Sequence, residues 1–340
     1  MAQRSRSTRA SKAFVPPYPP SWFDRLTEAI ERLPGPYWVP YAIAGAVYLA
    51  AVGLSPAPPD PAPFREALFS ASLPFYGFWL IHYLNRRASL SLDAFSPAFA
   101  GGQAELRDVH WRLTKLPALP ALFVSFLALL LGFVSSLDWI TTTPAEILGK
   151  LAYLATTVFG GLYAYHAIRQ LRLVTELYAH RARIDLHTVA PLYSFSTLSA
   201  HTAIGMLFLL SAAVLITPSG LTGPFLVGAF AFGTLAVLIF LLPLAGLHRR
   251  LVEVKEAELL GNGRRWQACM AELYRGIDRG NPRTSDRINN SLAALERGRA
   301  AIERVPTWPW RPETLRGVVG ALALPIMIWL IQFALQRVLG

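Results

Sequence analysis

The chain has 340 residues, 53% of them hydrophobic and 16% charged, and a net charge of +11. Its mean hydropathy is +0.37, which excludes an ordinary soluble domain because long apolar runs with few charges are typical of membrane proteins. The basic residues fall in alternate loops, as the positive-inside rule requires, so we expect no nucleic-acid partner. Cys269 is the only cysteine, which excludes a disulfide within the chain.

The first 36 residues are expected to lie outside the membrane core. Residues 1–20 are basic and then proline-rich, which predicts a disordered tail. Residues 21–36 contain a predicted amphipathic helix that begins at Ser21, whose spacing to Asp24 is that of a capping box. The apolar face of this helix holds four residues: Trp22, Leu26, Ile30 and Leu33. We expect this face to lie on the membrane surface, with packing on the protein's own cytoplasmic part as the alternative. No removable signal peptide is expected.

Seven apolar runs predict an all-α integral membrane protein. Residues 37–247 are expected to form a six-helix bundle, and residues 316–340 a seventh membrane helix. The predicted spans are Tyr37–Ser55, Arg65–Tyr83, Leu119–Leu137, Ile147–Ile168, Ala190–Ile216, Pro224–Leu247 and Gly317–Leu339. Runs of this kind suit a hydrocarbon core of ~30 Å. We therefore expect a multi-pass protein of the cell membrane whose first partner is the lipid bilayer.

The distribution of arginine predicts how the bundle is oriented. Arginines are concentrated in residues 86–115, 169–185 and 248–316, while the alternate loops carry none. The positive-inside rule then places the N-terminus in the cytoplasm and the C-terminus outside. Helices 4–6 are expected to extend into the cytoplasm, with one such extension at residues 169–189.

Residues 248–315 are expected to form a cytoplasmic helical anchor region. Gly261-Asn262-Gly263 predicts a turn, and a charged helix is expected from Thr284 to Arg304. Four apolar residues of this helix follow a heptad-like spacing: Ile288, Leu292, Leu295 and Ile302. Such a seam requires a partner, which is either an extended helix of the same chain or the same helix in another subunit.

A proline-rich break separates this helix from the last membrane helix. Trp308 and Trp310 lie between its prolines and predict a bend at the headgroup level, where indole rings settle. Four residues of the last helix are candidates for the lining of a pore: Ile328, Gln332, Leu335 and Gln336. Glutamine in hydrocarbon is costly unless it is hydrogen-bonded or wet. The two glutamines therefore predict a water-filled vestibule, with a position at the outer headgroup level as the alternative.

Aromatic residues are abundant in the second and fourth spans. The candidate ligand pocket consists of Tyr76, Trp79, Tyr83 and Tyr163. These rings predict a site for a small apolar ligand. The alternative is that they anchor the helices at the membrane interface and fill the core.

Catalytic and metal-binding patterns are not found in the sequence. The seven histidines are scattered without ligand spacing, and no phosphate loop or nucleophile elbow is present. The span interiors hold almost no carboxylates, whereas a proton-coupled carrier places an ionisable group at mid-membrane. We therefore expect no enzyme activity, no metal and no cofactor.

The layout resembles the seven-transmembrane ion-channel superfamily that includes insect odorant and gustatory receptors. The shared features are a cytoplasmic N-terminus, short outer loops, prolonged inner ends of helices 4–6, and a last helix split into cytoplasmic and membrane halves. The gustatory branch carries a Thr-Tyr-x5-Gln-Phe motif in its last helix. Gln332-Phe333 matches the end of that motif, and Pro325-Ile326 stands where the motif has Thr-Tyr.

The resemblance implies a homotetramer in which the cytoplasmic helices form a central anchor and the last helix lines a cation pore. It implies that Gln332 lies at the narrow outer part of the pore and Ile328 one turn below as an apolar gate. It also implies that the aromatic pocket binds the ligand. The leading hypothesis is therefore an oligomeric cation channel, with ligand gating as an option. The alternative is a non-conducting membrane scaffold or signalling protein whose cytoplasmic helices bind a partner.

Overall fold

The structure is a computed structural model that describes residues 14–54, 61–137, 144–216, 223–278 and 282–339. Over these residues the regular elements are helices, joined by short irregular segments. The α-helices are α1 (Trp22–Glu31), α2 (Val39–Gly53), α3 (Pro61–Phe95), α4 (Gln103–Thr114), α5 (Ala118–Ser135), α6 (Pro144–Glu176), α7 (Ser194–Ile216), α8 (Gly223–Asp278), α9 (Pro282–Glu303) and α10 (Pro312–Leu339). Most of each predicted outer loop, and residues 1–13 of the predicted tail, lie outside the described residues.

Five of the described helices are long and apolar enough to cross a membrane, namely α5, α6, α7, α8 and α10. The chain is therefore a membrane protein. The helix α2 has 15 residues and reaches about 22 Å, which is less than the ~30 Å of a hydrocarbon core. The predicted second span lies within α3. A total of seven spans stays a prediction.

Three helices run well beyond the predicted spans, and one does not. The helix α3 continues from Tyr83 to Phe95, and α6 continues into a π-helical turn at Leu177–Arg181. The helix α8 has 56 residues. By contrast α7 has 23 residues, so the prediction of an extended fifth helix is wrong. The chain before α7 instead pairs with the connection between α3 and α4, where Arg183 N–H donates to Ala98 O over 2.8 Å.

The helix α8 passes without a break through the predicted turn at residues 261–263, so that prediction is wrong. The helix α9 packs antiparallel along this part of α8. Asn262 Nδ2 donates to Leu295 O over 3.1 Å, and a Cβ on Gly298 would lie only 3.6 Å from the same amide nitrogen. Tertiary packing along the helix pair outweighs the weak helix propensity of two glycines.

The buried core lies where α3, α6 and α7 meet, and glycines bring these helices together. A Cβ on Gly77 of α3 would lie 2.4 Å from ring atoms of Phe159 on α6. A Cβ on Gly205 of α7 would lie 2.7 Å from Leu80. Because neither contact leaves room for a methyl group, the two glycines set how closely the helices approach.

The helix α1 begins as predicted and packs by a different face. Ser21 and Asp24 form the capping box. Phe23 and Asp24 are fully buried, while Leu26 and Leu33 of the predicted apolar face are 41% and 52% exposed. The helix therefore packs on the bundle through Phe23 and through Trp22 of the predicted face, whose Nε1 donates to Ser125 Oγ over 3.1 Å. Leu26 and Leu33 point outward, and contact of α1 with the membrane surface stays a prediction.

The last part of the predicted tail lies along the corner between α4 and α5. Tyr18 Oη donates to Lys115 O over 2.9 Å, and Ala118 N–H donates to Pro19 O over 3.2 Å. Tyr18 also accepts a hydrogen bond from Arg169 of α6. Residues 14–20 thus connect the N-terminal segment to two helices of the bundle.

Candidate functional site

The segment between α9 and α10 is held by a stack of four aromatic rings. The ring of Trp308 lies 4.1 Å from that of His248 and 4.5 Å from that of Trp310, nearly parallel to both. Phe240 stacks on Trp310 at 5.7 Å. Phe240 and His248 both belong to α8. The two tryptophans therefore hold the junction between α9 and α10 against one side of α8 by ring stacking.

Polar contacts hold the same junction at its backbone. Lys255 Nζ donates to Glu303 O over 2.7 Å and to Val305 O over 2.8 Å. These carbonyls lie at the end of α9, where the helix cannot satisfy them itself. His248 Nδ1 lies 3.1 Å from Thr307 O, so this nitrogen carries the proton, because a carbonyl oxygen only accepts. The junction is therefore fixed to α8 by both stacking and hydrogen bonds.

The helix α10 packs along α7 and leaves the rest of its surface uncovered within the chain. Val318 is buried, and a Cβ on Gly317 would lie 3.6 Å from Ile204 of α7. Pro325 is buried within α10, which continues through it. Large apolar side chains on the remaining surface are exposed, among them Ile331 at 59%.

The predicted pore residues lie along one side of α10 and differ in how deeply they are buried. Gln332 is half-buried, and its Nε2 donates to Leu215 O over 3.0 Å. Ile328 is also half-buried, whereas Leu335 and Gln336 are exposed. Leu215 lies at the end of α7, where the last four carbonyls have no partner within the helix. Gln332 therefore acts within this chain as a cap for α7.

The amide of Gln332 is only half satisfied. Its Oε1 is buried and accepts no hydrogen bond from the described residues. A buried acceptor without a partner costs about 1–3 kcal/mol.

The predicted seam of α9 faces α8 of the same chain. Ile288 and Ile302 are buried, and Leu292 and Leu295 are half-buried. Ile302 shares a small cavity with Val254 of α8. Of the two partners that the seam left open, the extended helix of the same chain is the one in contact. A role of these residues in subunit contact stays a prediction.

The aromatic residues of the predicted ligand pocket join α3 and α6 to α7. Tyr76, Trp79 and Tyr83 form a ladder on α3 with ring centroids 5.4–5.5 Å apart. Tyr76 Oη donates to Gly205 O over 3.2 Å, and Tyr163 Oη donates to Thr202 O over 3.1 Å. The hydroxyls of these two tyrosines are therefore used in helix packing.

A cavity of about 580 Å³ lies beside this ladder, between α6 and α8 with α7 as its floor. Of the four aromatic residues, only Tyr163 lines it. A second cavity of about 420 Å³ adjoins it, and Phe159 and Gly160 line both. We call the two together the α6–α8 groove.

Charged residues cluster where α1 meets α3 and α4. Glu31 Oε1 lies 3.0 Å from His82 Nε2 and 3.3 Å from Arg86 Nη1, and Glu28 pairs with Lys115 over 2.6 Å. Burial acts to raise the pKa of Glu31, but the hydrogen bond and charge of His82 and the charge of Arg86 outweigh it, so the pKa is lowered. This cluster attaches α1 to the bundle by ion pairs.

Burial has the larger effect on Asp24, the carboxylate in the first turn of α1. It raises the pKa of Asp24, against hydrogen bonds to Oδ2 from Ser21 and from Leu116 N–H. The bond from Leu116 ties the start of α1 to the corner before α5.

Sequence reasoning missed the side chains that cap distant helix ends. Arg250 donates to Tyr178 O and Ala179 O at the end of α6, and Lys255 and Gln332 do the same for α9 and α7. The available signal was that Arg250, Lys255 and Gln332 have long polar side chains that can reach the carbonyls at a helix end. The pairing of each side chain with its helix end depends on tertiary structure, so the signal alone could not assign partners.

No family model, curated protein or solved structure matches this chain. The function is therefore argued from the geometry of the chain itself.

Proposed function

We propose that the chain forms an oligomeric cation channel of the cell membrane in which α10 lines the ion pathway. The observation that carries the proposal is the half-satisfied amide of Gln332 on α10, a helix whose surface is mostly left uncovered by the rest of the chain. Polar groups within membrane helices usually face a protein partner or a water-filled path. In the proposed symmetric assembly, the surface of α10 that its own chain leaves uncovered faces the neighbouring copies and the pore water, beside Gln332.

The proposed topology has seven spans, with α2 and α3 added to the five helices that qualify by length and composition. The N-terminus lies in the cytoplasm, because the positive-inside rule places the arginine-rich segments there. Arg86 and Lys115, which pair with Glu31 and Glu28 of α1, lie in one of these segments, and Arg250 lies in another. We call residues 282–339, which contain α9 and α10, the terminal unit. In this topology α9 and the stacked tryptophans form the cytoplasmic half of the terminal unit, and α10 forms its membrane half.

In this channel the proposed assembly is a homotetramer, and the pore-lining residues are Ile328, Gln332, Leu335 and Gln336. Gln332 lies near the outer end, and Ile328 forms the apolar constriction one turn inward. A small apolar ligand is the proposed gating stimulus, with the ladder of Tyr76, Trp79 and Tyr83 and the nearby Tyr163 as the residues that respond to it.

The test is flux through purified protein in liposomes, with the subunit number measured in detergent. We expect an oligomer that passes monovalent cations, and Gln332→Leu should change conductance or selectivity. Gln267→Leu is the matched control, because Gln267 is an exposed amide on the distal part of α8. A monomer without flux contradicts the channel, and an unchanged current in Gln332→Leu contradicts the assignment of the pore.

A second candidate function is a non-conducting scaffold, and the distal part of α8 favours it. Trp266, Tyr274 and Ile277 are exposed there, at 37%, 60% and 58%. Apolar side chains at this spacing lie close together on one side of a helix, and exposed aromatic residues are typical of partner contacts. This function predicts an oligomer or monomer without flux, and a partner whose binding is lost in Tyr274→Ser.

A further inference from the structure

The α6–α8 groove is large enough for a ligand. Its main cavity of about 580 Å³ lies within the range of roughly 300–1,000 Å³ that small-molecule sites occupy. The lining is almost entirely apolar, and the groove opens between two helices that qualify as membrane spans. Such an opening faces lipid, so the bilayer itself is the nearest source of an apolar occupant.

The groove exists because α6 presents small residues to α8. Gly160, Ala164 and Ala167 lie about one turn apart along the cavity wall. A Cβ on Gly160 would meet nothing within 4 Å. On the opposite wall Pro243 lacks a backbone N–H and leaves one carbonyl of the preceding turn unpaired. The small side chains of α6 therefore leave open space between the two helices.

One end of the groove differs in chemistry from the rest. Arg172 and Thr175 line that end, on the arginine-rich extension of α6. Arg172 has no ion-pair partner among the residues that the structure describes. Gly160 lies about 18 Å along α6 from Arg172, close to the ~15 Å depth of one leaflet. The groove thus has the dimensions of an acyl chain that extends inward from a headgroup.

We propose that the α6–α8 groove binds one acyl chain of an anionic phospholipid whose phosphate pairs with Arg172. The charge of the guanidinium selects an anionic headgroup over a zwitterionic one, and Thr175 offers a hydroxyl beside it. The acyl chain fills the space that Gly160 leaves open. This site does not depend on ion conduction, so its test and that of the channel are separate.

The first experiment blocks the groove. The full chain in detergent is mixed with phosphatidylglycerol or phosphatidylcholine, and bound lipid is counted by native mass spectrometry. Gly160→Leu should reduce bound phosphatidylglycerol by about tenfold, because the side chain occupies the space of the acyl chain. Gly149→Leu is the matched control, since its Cβ also meets nothing within 4 Å and Gly149 does not line the groove.

The second experiment removes the charge. Arg172→Gln should abolish a preference of roughly fivefold for phosphatidylglycerol over phosphatidylcholine, the size expected for one arginine near the membrane surface. Arg265→Gln is the control, because Arg265 is an exposed arginine on the distal part of α8. Circular dichroism and elution volume establish that each variant is folded.

Two results overturn the proposal. One is a folded Gly160→Leu variant that retains as much phosphatidylglycerol as the wild type. The other is an Arg172→Gln variant with an unchanged headgroup preference. If the first result comes with a changed subunit number, a neighbouring subunit occupies the groove in place of the lipid.

Discussion

The helices α9 and α10 of the terminal unit are adjacent in the chain, but α9 is packed firmly on the rest of the protein and α10 is mostly exposed. The helix α9 is charged, yet Ile288 and Ile302 are buried against α8, and Lys255 caps its end. The helix α10 is apolar, yet it packs on α7 by one side and exposes residues such as Ile331 elsewhere. Charge therefore does not indicate which helix is loosely attached. An apolar helix in a membrane can expose its side chains to lipid, so it does not need to be buried by its own chain. An apolar seam in water must be buried, because its exposure to water is unfavourable.

Replacing a buried and an exposed isoleucine tests this contrast most strongly. Ile302→Ala should lower the free energy of unfolding by about 2–4 kcal/mol, because it leaves a cavity between α9 and α8. Ile331→Ala, on the outer surface of α10, should change it little. Thermal unfolding in detergent measures both. Equal losses in the two variants would mean that α10 is as tightly packed as α9.

Removing the lysine cap should loosen the junction between the two helices. Lys255→Met leaves Glu303 O and Val305 O without their donor, at a cost of about 1–2 kcal/mol. Hydrogen exchange should rise at residues 304–311 and not in α7. Arg265→Met on the same helix serves as control and should leave this exchange unchanged. If the exchange of residues 304–311 stays at the wild-type level, the aromatic stack and the hydrogen bond from His248 to Thr307 O hold the junction without Lys255.

Removing the amide cap of α7 should have a smaller effect. Gln332→Leu deletes the hydrogen bond to Leu215 O and also the unpaired Oε1, so the net loss of stability is about 1 kcal/mol or less. Hydrogen exchange should rise at the last turn of α7 and remain unchanged in α9. A rise in α9 instead would show that the two halves of the terminal unit are coupled through the junction.

Acid should weaken the α1 contact slightly and leave the terminal unit unchanged. The pKa of Glu31 is lowered from 4.5, so its contribution to stability is present above that value and is lost as the pH falls through the folded-state pKa. The effect is below about 1 kcal/mol, since the carboxylate is partly in water. Glu31→Gln should therefore reduce the fall in unfolding temperature that the wild type shows as the pH drops below 4.5. A slope as steep as that of the wild type would assign the pH dependence to another group.

Much of the local structure followed from local patterns. The capping box of Ser21 and Asp24 is present, and apolar length correctly indicated the five helices that can cross a membrane. The turn at residues 261–263 was wrong, and periodicity also gave no sign that α1 packs on the bundle through Phe23. Both depend on which surface a neighbouring helix covers, and a periodicity argument has no access to that neighbour.

The candidate sites were only partly predictable. Gln332 stood out as a polar residue in an apolar helix, but its bond to Leu215 joins residues 117 positions apart. The α6–α8 groove was not predicted, although Gly160 and Arg172 lie on one predicted helix. Small residues on a helix indicate either close packing or open space, and the position of the opposite helix decides between them.

The amino-acid sequence by itself determined that this chain is helical and embedded in a bilayer. The composition and the length of each apolar run set the free energy of exposing that segment to water or to lipid. It also determined that a break follows α9, since Pro306 and Pro309 do not suit the interior of a helix, although α10 begins at Pro312 and not at the predicted Gly317. The tertiary structure decided which helix end each long side chain caps, which face of α1 is buried, and where α6 and α8 stand apart. These features arise from contacts between distant segments, whose geometry no local pattern contains.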